Sequence, residues 1–125
     1  MGAMSTRDIG FLGEEKGLKY LKKQGYKILE KNFITRFGEI DVIAKDCGYV
    51  VFVEIKLRRS NKFGSPAEAI NATKQKKIIK SAIQYIKANK LEGAGFRFDA
   101  LLIGPEEFEI ELIKNAFPSS GRYTL

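Results

Sequence analysis

Two acids stand inside runs that otherwise read as apolar strands. Asp41 lies in Gly38-Glu39-Ile40-Asp41-Val42-Ile43-Ala44, and Glu54 lies in Val50-Val51-Phe52-Val53-Glu54-Ile55-Lys56, with Lys56 two positions beyond it. Burying unpaired charge is costly, so carboxylates and a lysine gathered on strands require a partner. A divalent cation held by oxygen ligands answers that requirement. It neutralises the acids, grips a phosphate oxygen and lowers the pKa of an attacking water. Lys56 would stabilise charge on the phosphorus centre or position the water. The competing reading is a salt-bridge cluster at a sheet edge. Two acids and a lysine together favour a phosphodiester-cleaving metal site over that reading, because ionisable clusters in clefts mark function.

The elements around these residues decide whether they meet. A two-residue loop at Cys47-Gly48 pairs Asp46 with Tyr49 and sets Asp41 directly opposite Glu54, with side-chain origins about 5 Å apart. Strand alternation adds Glu39, Lys56, Ile43, Val50 and Phe52 to that face. It leaves Ile40, Val42, Ala44, Val51, Val53 and Ile55 on an apolar opposite face. A slip of one residue would part the two acids. Upstream, Arg7 to Gln24 reads as a helix ended by Gly25, with Ile9, Leu12, Leu18, Tyr20 and Leu21 at helical spacing. Glu14 projects within its buried arc and Glu15 outside it. On physics alone, Glu14 either reaches the strand acids or simply answers the helix dipole.

Tyr26 to Phe33 reads as a first strand, Glu39 to Lys45 and Tyr49 to Leu57 as the hairpin, Phe96 to Ile103 as a fourth strand and Phe108 to Lys114 as a fifth. Ser65-Pro66-Ala67-Glu68 is a capping-box start for a second helix reaching Asn89, with a kink expected at Asn71-Ala72-Thr73. Arg58 to Gly64 reads as a loop. The order α-β-β-β-α-β-β predicts an α/β protein, a mixed sheet with helices against it. A single domain is expected over residues 6–115, with 116–125 a loose tail. The start formally fits a myristoylation pattern, but the second methionine, Met4, points to residues 1–5 as a cloning remnant.

Composition narrows the chemistry. The 125 residues include no histidine and one cysteine, Cys47. Histidine-based nucleophilic catalysis, HEXXH zinc sites, cysteine-built zinc sites and intramolecular disulfides are therefore excluded. No run is long and apolar enough to span a membrane, and a cytoplasmic location is expected. The net charge of +7 favours polyanions, nucleic acid first. Arg58, Arg59 and Lys74 are the expected backbone contacts. Lys76 and Lys77 read as a solvated helix face, and Phe63 as a loop aromatic over the core.

The residues resemble a known family. Asp41…Glu54-Ile55-Lys56 is similar to the D…(D/E)xK signature of the PD-(D/E)xK nuclease superfamily. The resemblance narrows to the YraN-like bacterial proteins through five ordered stretches: Gly10-Phe11-Leu12-Gly13-Glu14, Gly38-Glu39-Ile40-Asp41, Phe52-Val53-Glu54-Ile55-Lys56-Leu57-Arg58, Phe63-Gly64-Ser65-Pro66-Ala67-Glu68-Ala69-Ile70 and Arg97-Phe98-Asp99. It implies a restriction-endonuclease-like fold and an active site at Glu14, Asp41, Glu54 and Lys56. Asp41 and Glu54 would bind Mg²⁺ or Mn²⁺, and Glu14 would bind it directly or through water. The expected function is metal-dependent cleavage of nucleic acid, DNA ahead of RNA, with branched DNA a guess by analogy. The alternatives are a non-catalytic nucleic-acid-binding module docked on a processing complex, and a structural protein with a salt-bridge network. The sequence fixes neither a protein partner nor a homodimer.

Overall fold

A computed structural model describes residues 6–57, 70–104 and 109–118, with the backbone alone for residues 6–12. The elements are α1 (Thr6–Lys23), β1 (Lys27–Thr35), β2 (Gly38–Asp46), β3 (Tyr49–Leu57), α2 (Ala72–Ala88), β4 (Phe96–Ile103) and β5 (Ile110–Ile113). This is the order expected from the sequence. The strands form one five-stranded sheet in sequential order, mixed because β3 and β4 run parallel while the other pairs are antiparallel.

Helices cover both faces. On one, α1 and its exit pack Leu21 and Tyr26 against Val42, Ala44, Val51, Val53, Leu101 and Ile103. On the other, α2 lays Ile78, Ile79, Ala82, Tyr85 and Ile86 on Ile43, Val50, Phe52, Phe98 and Leu102. The apolar stripe of α2 recurs every three to four residues, which is the helical period. Gly13 and Gly17 seat α1 tightly. A Cβ at Gly17 would lie 3.0 Å from Leu101 and 3.2 Å from Ile55, and one at Gly13 would lie 2.5 Å from Leu57. A larger residue at either position would force the Leu57, Leu101 or Ile55 side-chain ends to shift. No helix among the described residues is long and apolar enough to cross a membrane.

Two local expectations are corrected. Asn71 does not kink a helix but begins one. Its backbone is extended (φ −71°, ψ 167°), and its side chain accepts a hydrogen bond from the Lys74 backbone N–H. That side chain satisfies a helix N–H that would otherwise lack a partner. The expected start at Ser65-Pro66 lies outside the described residues, as does Phe63. Ile40, assigned by alternation to the α1 face, packs instead with Ile43 and Phe52 on the α2 face. The reason lies beside it. Asn32 of β1 adopts a left-handed φ of 51°, and the β2–β3 pairing stops at Val42↔Val53. Across this break Phe33 and Ile40 remain partners and change face together.

Candidate functional site

Hairpin chemistry positions the acids. Cys47 (φ 51°) and Gly48 (φ 85°) both take positive φ, the requirement of a two-residue turn matched to strand twist. Asp46 pairs with Tyr49, and the register continues to Val42↔Val53. The next positions along this register are Asp41 and Glu54. In an undisturbed ladder the Ile55 N–H would meet the Ile40 carbonyl. Here it donates to Asp41 Oδ2 at 2.8 Å. The side chain thus takes over a bond the main chain has released, and the strands part at the acid pair.

The site opens on the α1 side of this parting. A cavity of about 160 Å³ is lined by Glu14, Glu15, Leu18, Lys31, Asn32, Asp41, Val42 and Ile55. Glu14 is half-buried and Glu15 exposed, as the helical arc predicts. Glu54 is only 8% exposed, and Lys74 Nζ from the first turn of α2 stands 3.4 Å from Glu54 Oε1. Lys56, exposed at the end of β3, adds positive potential near Glu54. Lys31 and Asn32 were not foreseen. An asparagine inside a strand, able to take the left-handed conformation, was the available signal.

Burial raises both acids. Burial, then the charge of Glu54, pushes the Asp41 carboxyl up from 3.8 to about 7, with the Ile55 N–H opposing. Burial also raises Glu54, against the pull of Lys74 and of hydrogen bonding with Asp41. Two desolvated acids this close disfavour double ionisation. Among the described residues no three acidic side chains stand close enough to form a metal-binding group. Glu14 therefore shares the cavity with Asp41 without joining the Asp41–Glu54 pair directly. Arg58 and Arg59 lie outside the described residues.

A second polar cluster lies at the turn end of the sheet. Arg97 donates from Nη2 to Asp46 Oδ2 (2.6 Å), to Asp99 Oδ2 (3.0 Å) and to the Tyr26 hydroxyl (2.9 Å), and from Nε to Asp99 Oδ1 (2.9 Å). Tyr26 donates to Asp99 Oδ2 (2.6 Å), and the Asn115 N–H donates to Asp99 Oδ1 (2.9 Å). Lys114 Nζ reaches Asp46 at 3.1 Å. Asp99 is fully buried. Sequence reasoning gave these residues no role.

The fold and the acid pair define an α/β protein with a mixed sheet and a compact, all-oxygen acidic site where two strands diverge. The chain belongs to the uncharacterised protein family UPF0102, whose sequence model matches residues 13–103. This is the YraN-like group that the motifs resemble. A UPF0102 protein of Caldicellulosiruptor saccharolyticus is 45% identical, covering 91% of this chain and 100% of that one. One of Thermodesulfovibrio yellowstonii is 48% identical, covering 91% and 99%. A repair endonuclease from Pyrococcus abyssi overlaps at TM-score 0.36 and 20% identity, covering 85% of this chain and 40% of that one. An overlap this slight carries no argument about this chain.

Proposed function

We propose that this protein is a metal-dependent phosphodiesterase of nucleic acid, acting on DNA ahead of RNA. The observation that carries the reading is the Asp41–Glu54 pair: a half-buried and a buried carboxylate that disfavour ionising together, Asp41 lining a cavity, with Lys56 two positions beyond Glu54 on β3. The donor set fits a hard cation, since every candidate ligand is an oxygen. Asp41 and Glu54 would hold Mg²⁺ or Mn²⁺, and Glu14, across the cavity, would act through water. The bound cation would supply Lewis acidity toward a phosphate oxygen and a more acidic water. The chain's own groups do the rest. The Ile55 N–H fixes the Asp41 carboxylate, Lys74 steadies Glu54, and the Lys56 ammonium offsets charge on the phosphoryl oxygens. Arg58 and Arg59 belong to this reading as backbone contacts. Branched DNA is the substrate structure to test first.

A second reading has one observation in its favour. Lys74 already gives Glu54 a countercharge, which suits a nucleic-acid-binding module without turnover. The test is cleavage of labelled single strands, duplexes, flaps and four-way junctions in Mg²⁺, Mn²⁺ or EDTA, with Glu54→Ala in parallel. Metal-dependent cutting that falls by about 10³-fold in the variant is expected, the loss of some 4 kcal/mol of transition-state stabilisation. Intact binding with no cutting by the wild type would overturn the nuclease in favour of the binding module. Calorimetric titration with Mn²⁺ gives a readout independent of turnover. Wild type should bind and Asp41→Asn should not.

A further inference from the structure

The tip of the β1–β2 hairpin and the outer face of α2 enclose a second concave surface, which the acid pair does not use. One part, about 730 Å³, is lined by Arg36, Phe37, Lys80, Ile83, Gln84 and Lys87. The adjoining part, about 460 Å³, shares Arg36, Phe37 and Lys80 and adds Thr73, Lys76 and Lys77. Five cations line the two parts and no acid does. Among the described residues none of the five makes an ion pair. Charge that serves only solubility is normally interspersed with the opposite sign. This groove is of one sign throughout.

The groove also has a fixed aromatic floor. Phe37 is half-buried, with the Arg36 guanidinium 4.8 Å and the Lys80 ammonium 5.6 Å from its ring centre. The hairpin tip is tied down from below. The Thr35 hydroxyl shares a 2.7 Å hydrogen bond with the buried Ser81 of α2 and accepts the Phe37 N–H at 3.0 Å. Phe37 is therefore held against the helix. From Lys76 to Lys87 the helix rises about 16 Å at 1.5 Å per residue, a span of several nucleotides. Lys74, at the Glu54 carboxylate, lies one turn from Lys77 on the same helix.

We infer that this groove binds a single-stranded nucleic-acid segment, with phosphates on Lys76, Lys77, Lys80, Lys87 and Arg36 and an unpaired base against Phe37. A cationic track with an aromatic platform is the chemistry that separates single strands from duplexes, because only an unpaired base offers its face for stacking. A duplex would meet the lysines alone. The inference rests on the reading of the partner as nucleic acid. It adds the substrate class: strands with an unpaired stretch, such as flaps, whose duplex part is left to the acid pair.

The test is fluorescence anisotropy with a labelled oligothymidylate and a labelled duplex, in EDTA so that no cutting intervenes. Lys77→Glu/Lys80→Glu, on exposed positions, should weaken single-strand binding by tenfold or more and flatten its salt dependence. Phe37→Ala should weaken single-strand binding about fivefold to tenfold while duplex binding stays within twofold. Single-strand affinity unchanged in the charge-reversed variant would overturn the groove. An equal loss on both probes in Phe37→Ala would overturn the stacking site. Cleavage by these variants is scored separately. Loss of the groove with metal-dependent cutting of duplex intact would leave the nuclease reading standing, and the reverse would leave the groove standing.

Discussion

Two of the three acids on strand β2, Asp46 and Asp41, meet opposite fates. Asp46, at the turn, is held by Arg97 and Lys114, and the Arg97 hydrogen bond keeps its carboxyl below the ordinary range. Asp41, five residues earlier, has one backbone N–H, a repelling Glu54 alongside and a proton affinity pushed upward by burial. Asp46 is the more buried by exposed surface, 5% against a half-buried Asp41, so exposure alone does not explain why only Asp41 is raised. The difference is closure. At the turn end the buried oxygens are answered by Arg97, Tyr26, Lys114 and the Asn115 N–H. At the other end, among the described residues, Asp41 has the Ile55 N–H and Glu54 has the Lys74 ammonium, and the two carboxyls are left to share a hydrogen bond with each other. A satisfied network rigidifies a fold. At Asp41 and Glu54 burial instead leaves two acids that disfavour ionising together.

That contrast can be broken in three ways. The largest effect is expected at the closed end. Arg97→Met should take away the one cation shared by Asp46 and Asp99, leaving Asp99 only Tyr26 and the Asn115 N–H and Asp46 only Lys114, and cost about 3–5 kcal/mol, read as a lower urea midpoint. A loss under about 1 kcal/mol would show that the cluster is ornamental. The next effect has the opposite sign. Asp41 is raised from 3.8 to about 7 in the fold, so its contribution is full below about pH 4 and is lost as pH rises through 7. Asp41→Asn should therefore be more stable than wild type at pH 8, by about 1–2 kcal/mol, with the gap closing toward pH 4. A gap independent of pH would refute the frustrated pair. Asp46 runs the other way. Its stabilisation is present above the ordinary carboxylate range and fades only as pH falls below it. The smallest effect belongs to Lys114, whose side chain is 53% exposed. Lys114→Ala should cost about 0.5 kcal/mol and lose even that in high salt.

The same contrast sorts what the sequence could reveal. The meeting of Asp41 with Glu54 was legible because it depends on one tight turn. Cys47-Gly48 pins the register as far as Val42↔Val53, one position short of the acids; the expected direct pairing of Asp41 with Glu54 is not formed, and the two meet where the strands part. Element order and the inward reach of Glu14 were legible from periodicity for similar local reasons. The Arg97 cluster was not. Asp46 reads as a turn residue, and its partners at positions 97 and 114 come from β4 and the residues just after β5, so recognising it requires the parallel register Val51↔Arg97. Ile40 was misplaced because alternation assumes an unbroken ladder, and the left-handed Asn32 breaks it. The start of α2 was misread because an apolar stripe does not distinguish a kink from a cap. The basic groove was missed for a related reason. Lys76 and Lys77 read as a solvated face, and Arg36 and Phe37 join them only when the β1–β2 tip is laid against α2.

The parallel pairing of β3 with β4 also sets an order of assembly. Val50 meets Phe96 only after the chain has passed through α2, whereas β1, β2 and β3 join through two-residue turns. Loop-closure entropy favours the short connections first. Asp41 and Glu54 should thus come together in an early meander that still has water on both faces. Their burial, and the repulsion that comes with it, would follow when α2 docks and β4 closes the sheet. In native-state hydrogen exchange, amides of the β2–β3 turn end should outlast those of β5, while the Ile55 amide, bonded to a carboxylate instead of a carbonyl, should exchange faster as Asp41 gains its proton.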